Sequence, residues 1–337
     1  MKLYCGIDLH SNNSYVVLID AAEKIVYQKR LPNDLEVILE RLAPFKDRLE
    51  GAVIESTYNW YWLTDLLQTN GYPICLANTT AMKQYSGLKH TDDYKDARFL
   101  AHLYRLGILP MGYICPKELR LLRDMLRKRS DLVRQKTRQI LFIQNMYANH
   151  LAESISGDKV KRLKDEDIAC FIEPELILTV NSHLRILRCL QDEIALLEKQ
   201  MLSKVELEPA FSRLQTIPGV GKILAMTIML EVGEISRFPS AGNFASYCRC
   251  VSSQRMSNGK KKGEGNKNNG NKYLSWAFVE AANFAIRYDE QIKRYYQKKV
   301  SKTKRVVAIK TVANKIAKAS FYMLRDAVDF DVNKAFC

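Results

Sequence analysis

The sequence predicts a mixed α/β region followed by a mainly helical remainder. Three β-branched and aromatic runs open the chain, and helix-like and strand-like patterns alternate after them, which is the order of an α/β fold. From Pro116 onward, apolar residues repeat at helical spacing, and no glycine occurs before Gly157. The 337 residues are 47% hydrophobic and 26% charged, a globular composition with length for about two domains.

Short strands and helices are predicted throughout the first 112 residues. β-Branched and aromatic runs predict strands at residues 3–9, 15–20, 24–29, 52–54 and 74–77. Helical spacing of apolar residues predicts helices at 35–45, 60–69 and 93–106. Three consecutive strands followed by alternating elements resemble the ribonuclease H fold. We therefore predict an α/β domain over residues 1–112.

Two long helices are predicted next, one from Pro116 and one over residues 176–205. Proline suits the first turn of a helix, and leucine and isoleucine recur at helical spacing in both stretches. The pair predicts an antiparallel arm or an intermolecular coiled coil over residues 113–205, and two core helices of a bundle are the alternative. Residues 117–138 contain nine basic and three acidic residues. Among the basic ones, Arg127, Lys128 and Arg129 are candidates for binding nucleic acid.

Residues 206–337 are predicted to form a third, mainly helical domain. Helical spacing occurs at 222–230 and 273–287. The stretch 252–271 between them is polar and rich in glycine, and a basic stretch covers 293–318.

The net charge of the chain is +15, from 52 lysine and arginine residues against 37 acidic ones. Residues 1–110 have a net charge of −1, residues 111–205 of +4 and residues 206–337 of +12. Such an excess favours a polyanionic partner, most often nucleic acid. We therefore expect the last third of the chain to bind phosphate.

Other bulk features favour a cytoplasmic protein without a membrane partner. No apolar run approaches the roughly 20 residues that cross a bilayer. An acidic residue at position 8 comes too early for a signal peptide. The eight cysteines form no CxxC pair, so a reducing compartment is expected rather than a disulfide scaffold or a zinc ribbon.

Four carboxylates of the first domain are candidate catalytic metal ligands. Asp8 lies inside an apolar strand, where a buried carboxylate is costly unless it is paired or holds a metal. Glu55 follows the apolar run 52–54, and Asp93 and Asp96 lie three residues apart at a helix start. Carboxylates suit Mg²⁺ or Mn²⁺, and two such ions about 4 Å apart can activate nucleophile and leaving group in phosphoryl transfer.

These acids also have simpler explanations. Asp93 and Asp96 can serve as N-terminal acids that favour the helix dipole, and Asp8 as a satisfied core acid. Asp92 directly precedes Asp93, so the register of that pair is open by one residue. His10 lies beside Asp8 and can reach the same site, but a surface histidine at the end of a strand is the favoured interpretation. All four acids nevertheless fall where a ribonuclease H-like sheet collects its metal ligands.

A Pro-Gly turn in the last third is a candidate phosphate-binding element. Pro218, Gly219 and Gly221 resemble the hairpin of a helix–hairpin–helix module, in which glycines let backbone N–H groups approach a DNA phosphate. A plain connection between two helices is an equally good interpretation.

Ser257 lies in a polar loop that also contains Lys260, Lys261 and Lys262. A serine in such a loop can attack a phosphodiester if the cost of forming the alkoxide is lowered, and lysines can stabilise the charge that develops. On the residues alone, a solvated loop whose lysines bind the backbone without chemistry is the favoured alternative.

Six stretches, taken in order, resemble the DEDD transposases of the insertion sequence 110 family, a type that also includes the Piv-like DNA invertases. They are GIDLH at 6–10, IEST at 54–57, DYKDARFLA at 93–101, TIPGVG at 216–221, SNG at 257–259 and GNKYL at 270–274. The resemblance spans roughly residues 3–110 and 210–300, with a helical connector between them.

This resemblance implies a RuvC-like N-terminal domain, a coiled-coil arm and a C-terminal transposase domain. It implies a prokaryotic, nucleoid-associated DNA recombinase that excises and integrates its element in double-stranded DNA, guided by a structured bridge RNA. It assigns Mg²⁺ (or Mn²⁺) to Asp8, Glu55, Asp93 and Asp96.

The resemblance also makes Ser257 the nucleophile of a covalent phosphoserine–DNA intermediate. Many relatives have Ser-Ser-Gly or Ser-Gly where this chain has Ser-Asn-Gly, which leaves Ser252 and Ser253 as weaker candidates. Because the acids and the serine lie in different domains, we expect a composite active site in a homo-oligomer, a tetramer of dimers.

Two other functions compete with this one. A RuvC-type structure-specific nuclease, similar to a Holliday-junction resolvase, would hydrolyse DNA with water and would not need the serine loop. An architectural DNA- or RNA-binding protein would carry the acids as structural residues, and the arrangement of the four acids argues against it.

Overall fold

A computed structural model of the chain describes residues 1–56, 59–82, 92–253, 255–263 and 269–336, without the side chains of residues 255 and 261. The contacts divide the chain into two compact units, Met1–Lys117 and Glu118–Cys337. Unit 1 carries 13 basic and 13 acidic residues, whereas unit 2 carries 39 and 24. The whole excess of +15 therefore belongs to unit 2. The division into three domains at residues 112 and 205 stays a prediction.

Unit 1 is built on a six-stranded mixed sheet with the strand order β3-β2-β1-β4-β5-β6. Its strands are β1 (Leu3–Leu9), β2 (Asn13–Asp20), β3 (Ile25–Pro32), β4 (Leu49–Glu55), β5 (Ile74–Ala77) and β6 (Met111–Gly112). The first three strands form antiparallel pairs, whereas β1–β4 and β4–β5 are parallel and β5–β6 is antiparallel. The mixed α/β pattern that the sequence predicts for this region is confirmed.

Helices cover both faces of this sheet. They are α1 (Leu35–Leu42), α2 (Tyr61–Thr69), the short α3 (Thr79–Met82) and α4 (Asp93–Arg105). The side chains of β1 alternate, so Cys5 and Ile7 pack in one core cluster with residues of α1 and α2. On the other face, Ala97 and Ala101 of α4 pack against β2. A central strand covered on both faces explains the almost continuous apolar run that predicts β1.

The predicted helix over residues 35–45 is too long. α1 ends at Leu42, and a 3₁₀ helix over Ala43–Arg48 follows, with Pro44 in its first turn. Proline has no N–H for the α-helical ladder, so the α-helix stops before it. β6, with only two residues, has no counterpart among the predicted strands, because a two-residue pairing leaves no periodicity to detect.

Unit 2 begins with two long antiparallel helices, α5 (Lys117–Leu151) and α7 (Pro174–Val205), which are connected through the short α6 (Gly157–Val160). Leu132 of α5 packs with Leu190 and Ile194 of α7. Gln139 Oε1 lies 2.7 Å from His183 Nδ1, and Arg129 bonds to Glu198, so residue numbers fall along α7 as they rise along α5. We call this pair the arm of unit 2, and its assembly as a coiled coil stays a prediction.

Where the structure describes it, the rest of unit 2 consists mainly of helices and also contains a small hairpin. Its helices are α8 (Pro209–Leu214), α9 (Lys222–Val232), α10 (Ala241–Tyr247), α11 (Lys272–Tyr288), α12 (Glu290–Val300), α13 (Arg305–Asp326) and α14 (Val332–Phe336). Strands β7 (Arg255–Ser257) and β8 (Lys260–Gly263) pair antiparallel inside the stretch that the sequence predicts to be loop. The predicted basic stretch 293–318 lies in α12, α13 and their connection. Among the described residues, no helix is long and apolar enough to cross a membrane.

Candidate functional site

Three metal-ligating side chains meet at the end of strand β1. The His10 Nε2 atom lies 3.0 Å from Asp8 Oδ2 and 3.5 Å from Asp93 Oδ1. One ligand atom from each of these residues falls within 4.8 Å of the other two. Asp8 is buried, while His10 and Asp93 are partly exposed, so the cluster opens to solvent on one side.

Parallel pairing of β1 with β4 brings Glu55 to the same edge of the sheet. Ile7 pairs with Ile54, so the next residues, Asp8 and Glu55, extend side by side from the carboxyl ends of neighbouring strands. The two acids also interact electrostatically, because the charge of Asp8 contributes to raising the pKa of Glu55. The register of two buried apolar strands thus determines the spacing of these carboxyl groups.

Helix α4 delivers the remaining acids, and its close approach to β1 depends on Gly6. A Cβ atom at Gly6 would lie 1.8 Å from the carbonyl oxygen of Ala97, one residue after Asp96. Asp92 is the N-cap of α4, and its Oδ1 accepts from the N–H of Lys95 at 2.8 Å. In the structure Asp92 caps the helix and Asp93 faces His10, which favours Asp93 over Asp92 as the candidate ligand.

Burial and mutual repulsion raise the pKa of three of the acids. Burial is the main cause for Asp8, and the charges of Asp93 and Asp96 add to it while His10 opposes it. Burial is also the main cause for Glu55 and for Asp96, followed by neighbouring carboxylates. Raised pKa values indicate that ionising these groups together is unfavourable in the protein alone, and a bound cation would remove that cost.

The donor set fits a divalent metal ion. Carboxylate oxygens suit Mg²⁺ and Mn²⁺, and an imidazole nitrogen adds a donor that transition ions accept more readily than Mg²⁺ does. Asp8, His10 and Asp93 are the residues placed to hold such an ion, with Glu55 and Asp96 beside them.

His10 is a residue for which the sequence interpretation favours a surface position over one in the site. It is not merely a surface histidine, because it contacts both Asp8 and Asp93. The amide groups of Asn33 and Asn59 each donate to the His10 carbonyl at 2.9 Å and hold its backbone in place. The signal was available, since residues two apart along a strand point to the same side and His10 follows Asp8 by two.

Ser257 lies at the tip of the β7–β8 hairpin and is exposed. It pairs with Lys260 across a two-residue turn in which Asn258 has φ +48° and Gly259 has φ +69°. Two positive φ values are what a type I′ hairpin turn requires, and Asn-Gly is its preferred sequence. The Asn that departs from the usual family motif therefore suits a tight hairpin.

The other predicted residues of this loop are only partly described. Lys260 and Lys262 are exposed on the hairpin, whereas the side chain of Lys261 lies outside the described ones. Ser252 and Ser253 are exposed just before the hairpin and line a groove. Thr57, which belongs to the second matching stretch of unit 1, also lies outside the described residues.

The Pro218-Gly219 turn connects α8 to α9. The Val220 N–H donates to the Ile217 carbonyl at 3.0 Å across Pro218 and Gly219, and Gly219 has φ +81°, as in a type II turn. A Cβ at Gly219 would lie 2.5 Å from Phe284 Cβ, so this glycine is needed for packing against α11. Gly221 is exposed at the N-terminus of α9, and there is open space where a Cβ would lie on it.

Two of the three arginine and lysine candidates on α5 have partners inside unit 2. Arg127 forms two 2.7 Å hydrogen bonds to the carboxylate of Glu231, whose side chain is completely buried. Arg129 bonds to Glu198 of α7 at 2.8 Å. Lys128 is exposed. Nucleic-acid binding by Arg127 and Arg129 stays a prediction. In the structure Arg127 joins α5 to α9, and Arg129 joins the two helices of the arm.

Comparisons with known proteins match both parts of the chain. Residues 5–149 match a family model of transposases of the DEDD IS110 type, and residues 211–297 match the model of the transposase IS116/IS110/IS902 family. Over 195 residues, the chain is 24% identical to the insertion element IS110 uncharacterized 43.6 kDa protein of Streptomyces coelicolor. That match covers 58% of the chain and 48% of the relative, so the chain spans about half the length of the curated relative it matches.

Proposed function

Since this chain belongs to the DEDD transposases of the IS116/IS110/IS902 family, we propose that it is a DNA recombinase that excises and integrates an insertion sequence. The observation that carries this proposal is the convergence of Asp8, His10 and Asp93, whose ligand atoms lie within 4.8 Å of one another. Glu55 and Asp96 adjoin them electrostatically. Such a group of acids serves phosphoryl transfer through bound divalent ions.

The topology of unit 1 supports a RuvC-like ribonuclease H fold. Strands β1, β2 and β3 pair antiparallel, β4 then pairs in parallel with β1, and β5 pairs in parallel with β4. Asp8 lies on β1, inside this sheet. Helix α4 crosses the strand next to that acid. The sequence of unit 1 predicts the same order of elements, three consecutive strands followed by alternating helices and strands.

The proposed cleavage step uses the hydroxyl of Ser257. Its Oγ forms a bond to the scissile phosphorus while the bond from phosphorus to one deoxyribose oxygen breaks. The serine proton passes to solvent, and the departing oxygen takes up a proton from solvent, so that a phosphoserine ester and a free hydroxyl end result. A hydroxyl end of another strand then attacks the phosphoserine and regenerates the serine. Lys260 and Lys262 stabilise the negative charge of the pentacoordinate state.

The acidic cluster of unit 1 acts on the same phosphate. A divalent ion bound there would neutralise the phosphate oxygens and lower the cost of the departing oxyanion. Asp8, Glu55, Asp93 and Asp96 would hold that ion, and His10 would add a nitrogen donor between Asp8 and Asp93. The proposal requires these acids and a serine hairpin to act on one DNA strand, as in a composite active site of a tetramer.

Guidance by a bridge RNA and assembly through a coiled coil belong to the same proposal. Unit 2 carries the whole excess of positive charge, which supports RNA binding beside DNA binding. On the arm, Leu141, Leu178 and Leu196 are 54%, 66% and 51% exposed, which supports contact between arms of different copies. RNA that copurifies with the protein, and its mass in solution, test these two parts.

Trapping a covalent adduct tests the central step. The DNA probe is the genomic fragment that carries the gene with both flanks, so that element ends and any encoded RNA are present. Wild-type protein should give a DNA-linked band on a denaturing gel, and Ser257→Ala should give none while binding DNA with similar affinity. Ser252→Ala and Ser253→Ala should keep the band. Normal recombination by Ser257→Ala would overturn the serine assignment, and nicked DNA without adduct would favour a water-dependent nuclease.

Loss of the metal cluster provides the second test. Asp8→Asn should abolish strand transfer because it removes one of the acids that would hold the ion. Chelation with EDTA should abolish it because it removes the ion itself. Asp34→Asn is the matched control, because Asp34 caps α1 and asparagine caps a helix equally well. Unchanged strand transfer in EDTA would exclude the metal-dependent mechanism.

A further inference from the structure

A groove of about 1320 Å³ lies in unit 2 beside the segment that leads into the serine hairpin. Part of its lining comes from Ser252 and Ser253, which precede β7. Another part comes from the first turns of α13, at Val306, Val307 and Lys310. The start of α13 is therefore a neighbour of the segment that carries the proposed nucleophile.

Hydrogen bonds tie this part of α13 to the base of the serine segment. The Asn314 side-chain amide donates to the carbonyl of Cys250 at 3.2 Å, two residues before Ser252. At the other end of the segment, the Arg249 guanidinium donates to the carbonyl of Gly270 at 2.9 and 3.1 Å. Both ends of the segment, and the wall formed by α13, are thus parts of one hydrogen-bonded unit.

The charge around the groove matches a polyanion. The stretch 291–325 contains eleven lysine and arginine residues and no acidic residue. Lys310 lines the groove, and Lys302, Lys304 and Arg305 are exposed in and just after the connection that precedes α13. Arg305 directly precedes Val306 of the lining, so cations lie at and beside this wall of the groove, where they can attract phosphate groups.

The groove also offers apolar surface and amide groups. Val306, Val307 and Val251 are 67%, 50% and 42% exposed, although large apolar side chains usually gain by burial. Side-chain amides of Asn243 and Asn314 lie in the same lining. Apolar surface beside amides and cations fits a strand whose bases and phosphates are both accessible, rather than the phosphate exterior of a duplex alone.

The size of the groove excludes a single small molecule as the best occupant. Pockets for drug-sized ligands measure about 300–1,000 Å³, and this groove is larger. Helix α13 also lies outside both stretches that match the family models, 5–149 and 211–297. Its contribution is therefore not part of what those matches describe.

We infer that this groove binds a single strand of DNA adjoining the phosphate that the serine segment attacks, with Lys310 at a backbone phosphate and Val306 and Val307 against bases. The choice of DNA rests on the proposed function. The groove itself rests on the lining, the charge and the hydrogen bonds of unit 2.

Fluorescence anisotropy of the full chain with a fluorescein-labelled single-stranded DNA oligonucleotide tests this inference. Lys310→Ala should weaken binding and reduce the slope of log K against log salt concentration by about 0.7, the value for one phosphate contact on a single strand. Val307→Ser should weaken binding without changing that slope. Lys318→Ala is the matched control, because Lys318 is exposed on α13 but does not line the groove.

Each outcome bears on the inference. Equal losses for Lys310→Ala and Lys318→Ala, or no binding of the oligonucleotide at all, would overturn it. Tighter binding of an RNA oligonucleotide of the same sequence, with the same dependence on Lys310, would replace DNA by RNA as the occupant. Since this assay needs no cleavage, its failure leaves the adduct test unaffected. Conversely, Lys310-dependent binding without any adduct would refute the proposed chemistry and retain the groove.

Discussion

Gly6 of β1 and Ala97 of α4 approach so closely that a Cβ on Gly6 would lie 1.8 Å from the Ala97 carbonyl oxygen and 2.9 Å from the Ala101 nitrogen. Backbone therefore faces backbone at this crossing, without an intervening side chain. Asp8 lies two residues beyond Gly6, and Asp96 lies one residue before Ala97. The contact between helix and strand consequently sets the distance between the acids of the candidate metal centre.

Gly6→Ala should destabilise unit 1 and weaken metal binding together. The added methyl group meets backbone atoms that cannot rotate away, so we expect a loss of about 3 kcal/mol or more in the free energy of unfolding. Urea unfolding followed by tryptophan fluorescence measures it, since Trp60 and Trp62 lie in unit 1. Gly112→Ala is the control, because its Cβ would meet the end of the Leu76 side chain at 3.2 Å. Equal stability of the two variants would contradict this account of the crossing.

Replacement of His10 should change the metal preference of the centre more than its stability. His10→Ala removes the nitrogen donor, so we expect Mn²⁺ to bind about tenfold more weakly or worse, with a smaller change for Mg²⁺. Isothermal titration calorimetry with each metal alone measures this directly, without any dependence on recombination.

His102→Ala is the matched control for that experiment. His102 lies near the other end of α4, where its Nδ1 is 3.2 Å from a Glu23 carboxylate oxygen, away from the candidate ligands. Its removal should leave both metal affinities unchanged. If His10→Ala binds Mn²⁺ as tightly as the unaltered chain, His10 has no part in the centre.

Unit 1 could be predicted from its sequence because local pattern and tertiary environment agree there. Strands β1 and β5 have the predicted bounds, and the four acids that the pattern selects converge or adjoin one another. The sequence favours a surface position for His10 because a histidine at the end of a strand is usually solvated. Only the approach of Asp93 from α4 changes its environment.

Unit 2 contains features that no local pattern reveals. Residues 255–263 are mostly polar and too few to show a clear alternation of polar and apolar residues, so the sequence predicts a loop there. The structure has a hairpin, and its Asn-Gly turn is a hairpin signal. Arg127 illustrates a second difficulty. Its basic neighbours indicate a nucleic-acid surface, but its partner Glu231 lies 104 residues away in sequence, and a count of charges cannot detect such a pairing.

The pairing of Arg127 with Glu231 should be important for the stability of unit 2. Arg127→Leu would leave the completely buried carboxylate of Glu231 with the Asn271 amide as its hydrogen-bond partner among the described residues. Breaking a buried ion pair in this way costs about 3–5 kcal/mol of the free energy of unfolding. Arg134→Ala removes an exposed pair with Asp131 and should cost about 0–1 kcal/mol. Chemical unfolding followed by circular dichroism compares them. The buried pair is unimportant if both variants unfold at the same urea concentration.

The turn that carries Ser257 should control the rate of adduct formation without affecting DNA binding. Gly259 has φ +69° and no atom within 4 Å of where its Cβ would lie, so Gly259→Ala adds only backbone strain of about 1–2 kcal/mol. That strain favours other conformations of the hairpin and should slow the formation of the adduct about 5- to 30-fold, because the well-formed turn becomes rarer by that factor.

Asn258→Gly should retain the wild-type rate, since glycine also accepts the φ of +48° at that position. Gly242→Ala is the control for a harmless methyl group, because a Cβ on Gly242 in helix α10 would lie 3.6 Å from Ser240 Oγ, an ordinary contact distance. Denaturing gels sampled over time give the rates, and anisotropy gives the affinity for DNA. An unchanged rate for Gly259→Ala would mean that the type I′ turn does not position the nucleophile.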